Sequence, residues 1–175
     1  MQTPIARLSP FDTDGNTFAV IEAVRGTRSK YKFDPDHGLF IHDKSLPADL
    51  AYPLDFGFVP GTEAEDGDPV DILVLMDEPA FVGAVVPCRI VAAIEAEQVD
   101  EETPEPIRNG RILAVACESL DFGHIADLGD FPDGLVESIE AFFVTTSALR
   151  GGTFRPLRRI QRAAAKHLIR HKSPI

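Results

Sequence analysis

Between Thr17 and Glu118, apolar positions fall in short β-type runs at residues 17–23, 30–33, 39–42, 56–59, 70–76, 84–95 and 111–117. Turn-formers separate them: Gly26, residues 34–38, Pro53, Pro60 with Gly61, residues 67–69 and Pro87. No long segment of helical period intervenes, so the spacing predicts an antiparallel barrel or sandwich. Helical period emerges only later. Leu135, Ile139, Phe142 and Phe143 share one helical face behind Pro132, with Asp133 as its cap. A second helix is predicted after Pro156, with Leu157, Ile160, Ala164, Leu168 and His171 on one side and Arg158, Arg159, Arg162, Lys166 and Arg170 mostly elsewhere. The fold class is therefore mainly β with α (α+β) in one domain over residues 1–175. Residues 1–16 form an extension before the first strand, and residues 150–175 a basic terminal segment.

The 175 residues are 44% hydrophobic and 8% aromatic, enough to bury a single core, which excludes a disordered chain or tandem domains. With 17 Lys and Arg against 28 Asp and Glu the net charge is −11, a balance that disfavours a surface for duplex nucleic acid. The charge is uneven: no Asp or Glu follows Glu140, whereas eight basic residues lie between Arg150 and Lys172. That basic stretch reads as a membrane or partner face, or as a terminal helix packed on an acidic barrel; its narrow, Ala-rich apolar stripe favours the second. Residues 95–105 read as an acidic loop between two strands, marked by Pro104 and Pro106. Cys88 and Cys117 lie in apolar stretches with no metal-ligand spacing and read as buried free thiols of a reducing compartment. Neither a secretory signal nor a bilayer-length apolar run is visible, so the expected location is cytoplasmic.

The densest chemistry is Glu65-Asp66-Gly67-Asp68-Pro69-Val70-Asp71. In extended chain Asp66 and Asp68 project to one side, Gly67 allows a close bend, and Pro69 fixes φ so that Asp71 can turn back toward them. Such carboxylates repel one another unless a cation sits between them, and hard oxygen ligands suit Mg²⁺, Mn²⁺ or Ca²⁺. The alternative is a solvated acidic turn. An EF-hand is the weaker metal reading, and residues 12–16 are better read as an Asx-rich turn. Upstream lie Glu22, Lys30, Lys32, Lys44 and Tyr52 on or beside predicted strands. Brought over the aspartates, they would set cations against carboxylates. A phosphate-rich anion requires that pairing, since Mg²⁺ and Lys neutralise its oxygens while phosphorus is attacked.

The segment Asp66-Gly67-Asp68-Pro69-Val70-Asp71 resembles the signature of the soluble (family I) inorganic pyrophosphatases. The likeness extends through Val20-Ile21-Glu22, Lys30-Tyr31, Gly38-Leu39-Phe40, Tyr52-Pro53, Phe56-Gly57-Phe58, Cys88-Arg89-Ile90, residues 111–115 and the helix at 139–143. The resemblance implies a small five-stranded OB-like barrel with two helices, a homo-oligomer (a hexamer by analogy), and Mg²⁺-dependent hydrolysis of pyrophosphate, with Mn²⁺ as a possible substitute. Carried over by position, it makes Asp66, Asp68 and Asp71 metal ligands, with Asp68 also the catalytic base and Glu22 in the outer acidic shell. Lys30, Lys44 and Arg111 become phosphate-binding residues and Tyr52 an active-site tyrosine. Lys44 stands where the family has arginine, which keeps charge but loses the bidentate fork.

Several positions depart from the family pattern. A family glutamate is Lys32 here, a second tyrosine is Phe56, and two aspartates of the acidic loop fall on Gln98 (with Asp100 or Glu101 as alternative alignments) and Asn109. A phosphate-gripping Tyr-Lys pair becomes Thr146-Ser147. Lys32 replaces a cation electrostatically but cannot acidify a water, and Arg150, Arg155 or Arg158 could supply a displaced phosphate clamp. Three readings follow: a divergent pyrophosphatase of reduced or altered activity; a silent paralogue that binds a phosphorylated ligand or acts as an interaction module; and a hydrolase of longer phosphoanhydrides. A nucleic-acid-binding OB module is a fold-level alternative made weak by acidity and the absence of Trp.

Overall fold

The computed structural model describes residues 4–100 and 105–172. Residues 1–3 of the N-terminal extension, Glu101 and Pro104 lie outside the described residues, as do the side chains of Arg170 and His171. Among the described residues there are nine strands, β1 (Thr17–Ala23), β2 (Ser29–Asp34), β3 (Leu39–Ser45), β4 (Asp55–Phe58), β5 (Asp71–Leu75), β6 (Val85–Val99), β7 (Ile107–Arg108), β8 (Arg111–Ala116) and β9 (Thr153–Gln161). Two helices, α1 (Leu135–Ala148) and α2 (Arg162–Lys172), complete the elements that matter here. All seven predicted β runs are strands.

The sheet runs β3-β2-β1-β4-β5-β8-β6-β7, and β6 also pairs with β1, so β1, β4, β5, β8 and β6 close into a ring. A ring of five strands has an odd number of pairings and cannot be antiparallel throughout. The mismatch falls between β5 and β8, which run parallel with Ile72 opposite Ile112 and Val74 opposite Ala114. This corrects the wholly antiparallel expectation. Those two strands are buried on both faces, which explains their unbroken apolar runs. Leu73, Leu75, Leu113 and Val115 pack in one core with Ile139 and Phe143 of α1. Their neighbours Ile72, Val74, Ile112 and Ala114 pack in a second core with Ala165 and Ile169 of α2.

Three local expectations are corrected. Residues 153–161 form a strand rather than the start of a helix, because β9 lies antiparallel along β6. There Arg155 meets Glu97 and Arg158 meets Glu95, charge partners that outweigh local helical period. The predicted acidic loop accordingly begins later, since residues 95–99 belong to β6. Asp133 does not cap α1: Gly134, at φ 76°, occupies the N-cap and no side chain bonds there. The terminal arginines serve the fold as well, with Arg159 pairing Glu137 at 2.6 Å and Glu140 at 2.8 Å on α1. No helix among the described residues is long and apolar enough to cross a membrane. Residues 12–16 form the expected Asx turn, in which Asp12 Oδ1 accepts from the amides of Asp14 and Asn16 at 2.9 Å each. Cys88 is fully buried, whereas Cys117 is only half-buried, short of the expected burial.

Candidate active site

The aspartate segment is shaped by its own polar atoms. Thr62 Oγ1 donates to the Val59 carbonyl at 2.6 Å and accepts from the Val70 amide at 3.0 Å, tying both ends of the loop together. Gly67 makes the bend at φ 82°, a left-handed conformation that disfavours a side chain. Asp66 Oδ1 accepts from the Asp68 amide at 3.0 Å, and Asp71 enters β5 opposite Phe58. Strand pairing brings the upstream cations over this loop. Lys30 and Lys44 face each other directly across β2 and β3, and Lys32 follows two residues on. Like charges placed opposite one another cost stability; here both ammonium groups face a cleft that holds carboxylates.

That cleft, about 470 Å³ in volume, gathers most of the residues singled out in the sequence. Lys30, Lys44, Tyr52, Asp66, Asp68, Asp71 and Arg111 line it, and so do the departures Lys32, Phe56, Gln98, Asn109, Thr146 and Ser147. Asp100, the alternative to Gln98, lines it as well. Glu22 stands one layer back, 3.6 Å from Lys30 and accepting from the Phe33 amide at 3.0 Å. Of the three arginines considered as a displaced clamp, only Arg150 lines the cleft; Arg155 and Arg158 are spent on β6. Sequence reasoning missed Asp43, Phe142 and Phe154, which also line it and are reached only through tertiary packing. Phe142 carried the sole signal, as a member of the apolar face of α1.

Each signature aspartate is held by a different partner. Lys32 Nζ donates to Asp68 Oδ1 and Oδ2 at 2.9 and 3.0 Å. Arg111 Nη1 lies 2.9 Å from Asp71 Oδ2, and Asn109 Nδ2 donates to Asp66 Oδ2 at 2.9 Å. Arg111 is buried between the rings of Phe143 and Phe154, whose centroids lie 4.6 and 5.1 Å away, a favourable seat for a flat cation. Its Nη1 also donates to the Asn109 and Gly110 carbonyls, and its Nε is a buried donor with no partner among the described residues. Lys30 sits 5.1 Å from the Phe56 ring centroid, so the ring in place of tyrosine still seats an ammonium.

Burial raises the Asp66 carboxyl above the usual carboxylate range, and the charges of Asp71 and Asp68 add to it. Burial likewise raises Glu22, against the pull of Lys30. Burial pushes Tyr52 well up, so its hydroxyl stays protonated. Lys44 is pushed down to about 8 by burial, then by Lys30 and Arg150. Lys32 is raised, chiefly by its hydrogen bond to Asp68.

Five carboxylates (Asp43, Asp66, Asp68, Asp71, Asp100) and five cations (Lys30, Lys32, Lys44, Arg111, Arg150) thus share one cleft. Fixed cations set against hard oxygen donors are the chemistry that a compact, phosphate-rich anion requires. A family model described as inorganic pyrophosphatase matches residues 19–173. Inorganic pyrophosphatase of Thermus thermophilus is 42% identical over 130 residues, covering 74% of this chain and 71% of that protein. That of Haloferax volcanii is 34% identical over 155 residues, covering 88% and 84%. The crystal structure of the Thermus thermophilus pyrophosphatase superposes with a TM-score of 0.86 at 35% identity, covering 96% of this chain and 95% of that one. The chain belongs to the inorganic pyrophosphatase family.

Membership implies a divalent metal cofactor, and the donor chemistry suits one: Asp66, Asp68 and Asp71 offer hard oxygens to a single cleft. Among the described residues, however, no three His, Cys, Asp or Glu side chains are gathered as a ready cation site. Lys32, Arg111 and Asn109 hold the three aspartates instead.

Proposed function

We propose that this chain hydrolyses inorganic pyrophosphate to two phosphates with Mg²⁺, or Mn²⁺ in its place, at a rate lowered by the departures in its cleft. One observation carries the reading: the three aspartates and the cations Lys30, Lys44 and Arg150, far apart in sequence, open on the same cleft of about 470 Å³. The relatives named inorganic pyrophosphatase support it. In this reading Asp66, Asp68 and Asp71 hold the divalent ion. When bound, such an ion offsets phosphoryl charge and makes water easier to deprotonate.

The chain's own groups supply the rest. Asp68, half-exposed to the cleft, accepts the proton of the attacking water. Lys30, Lys44 and Arg150 bind and orient the phosphates, with Glu22 fixing Lys30 from behind. Arg111 orients Asp71 and adds fixed positive charge beside it. Tyr52, kept protonated by burial, offers a hydroxyl donor toward the anion. Amides at Gln98 and Asn109 recruit a divalent ion less strongly than carboxylates do, which lowers the expected rate. Phosphate release from pyrophosphate across a Mg²⁺ series tests the function directly. Release from pyrophosphate slower than from longer phosphoanhydrides at equal free Mg²⁺ would transfer the assignment to those substrates.

Two narrower results are expected. A lysine with a pKa of about 8 loses its charge as pH rises through that value, so kcat/KM should fall above pH 8. Lys44→Arg, which stays charged, should flatten that limb relative to the wild type. Identical profiles would remove Lys44 from phosphate binding. Arg150→Gln should raise KM for pyrophosphate about tenfold with a smaller change in kcat, since it deletes a charged contact to the anion. An unchanged KM would show that Arg150 does not serve as the clamp.

A further inference from the structure

The three partners that hold the signature aspartates differ in how firmly they are built in. Arg111 is 5% exposed, begins β8 and is seated between Phe143 and Phe154, so it moves only with the core. Asn109 is equally buried, with its amide donating to the Ala96 carbonyl at 3.0 Å and its side chain to both Asp66 and Gln98. Lys32 is different. It lies on β2, outside the closed ring, with its side chain 55% exposed and its partner Asp68 56% exposed. An ammonium on a four-carbon stem held by a solvent-exposed pair is released at little cost. While the pair persists, one ammonium covers both carboxylate oxygens of Asp68. A dication approaching those oxygens from the side the ammonium occupies would meet a like charge at short range.

We propose that Lys32 is a tethered competitor of the divalent ion: it occupies both oxygens of Asp68, and the ion gains them only when Lys32 lets go. Lys32 thereby sets the divalent concentration at which the cleft loads, acting through Asp68 as a positioning residue. Of the three held aspartates, Asp68 is the one that opens without disturbing the core. The inference rests on the reading that Asp68 is an ion ligand of the cleft.

The test is Mn²⁺ binding to the substrate-free protein, with free ion followed by electron paramagnetic resonance. Lys32→Gln should tighten binding about fivefold. Arg158→Gln, which removes one positive charge outside the cleft, should leave it within about twofold, excluding a general charge effect. Lys32→Arg, which keeps the cation and adds a bidentate fork, should bind Mn²⁺ no more tightly than the wild type does. Asp68→Asn should weaken binding, and adding Lys32→Gln to it should bring no gain, the coupling that defines a direct competition. The thermal midpoint of Lys32→Gln should stay near that of the wild type, because the pair is exposed. Unchanged or weaker Mn²⁺ binding in Lys32→Gln, with Asp68→Asn still weakened, overturns the competitor role and leaves the site reading standing. No effect of Asp68→Asn removes the site reading, and the competitor role with it.

Discussion

Asp68→Asn should lower phosphate release from pyrophosphate by at least about a hundredfold while the protein stays folded. The substitution keeps the size and shape of the side chain and removes its capacity to accept a proton. A positioned general base contributes about 10²- to 10⁴-fold, and the loss of an ion ligand adds to that. The fold is expected to tolerate the change because the side chain is 56% exposed and its described side-chain partner is Lys32, itself on the surface. Such exposed pairs contribute about 0–1 kcal/mol. The paired measurement is turnover across a Mg²⁺ series together with the thermal midpoint. Turnover equal to the wild type would sink the assignment of Asp68 as base. No release from either protein, even with Mn²⁺, would make the chain a binding descendant of the enzyme.

The second large effect concerns the frame that carries the site. Gly57→Ala should cost about 3 kcal/mol or more, enough to lower the thermal midpoint by about 10 °C. A Cβ at this position would lie 1.8 Å from the Val20 carbonyl oxygen, 2.7 Å from the Val20 carbonyl carbon and 2.9 Å from Ile21 Cα. Those atoms are backbone and have little freedom to yield. Val20 is fully buried and pairs with both Phe58 on β4 and Val85 on β6, where the ring closes. Relief would have to come from pushing β4 away from β1. Because β4 also carries Phe58 opposite Asp71, the same shift would displace an aspartate of the cleft. Thermal or denaturant unfolding checks this, and a midpoint within about 2 °C of the wild type would show that the ring can widen there.

The candidate site was more legible than its wiring. The segment from Asp66 to Asp71 could be read directly because its chemistry is local, and the flanking strands because alternation and turn residues act over a few positions. Lys30 and Lys44 could be singled out, but their placement face to face depends on the pairing of β2 with β3. The strand at 153–161 was hidden by a helical spacing of apolar residues. Its true partners, Glu95 and Glu97, lie about sixty residues earlier in the chain. Arg150 could not be separated from Arg155 and Arg158 by composition; only the pairing of β9 with β6 removes the latter two from the cleft.

By itself the sequence determined the aspartate signature, the β-rich character, the helix at α1 and the residue types available to a phosphate site, since each is encoded within a few neighbouring positions. Only the tertiary structure decided which cation meets which carboxylate: Lys32 on Asp68, Arg111 on Asp71 and Asn109 on Asp66, across separations of some forty residues. Ring closure sets those meetings, and Coulomb attraction acts on distance in space, which the order of residues along the chain does not specify.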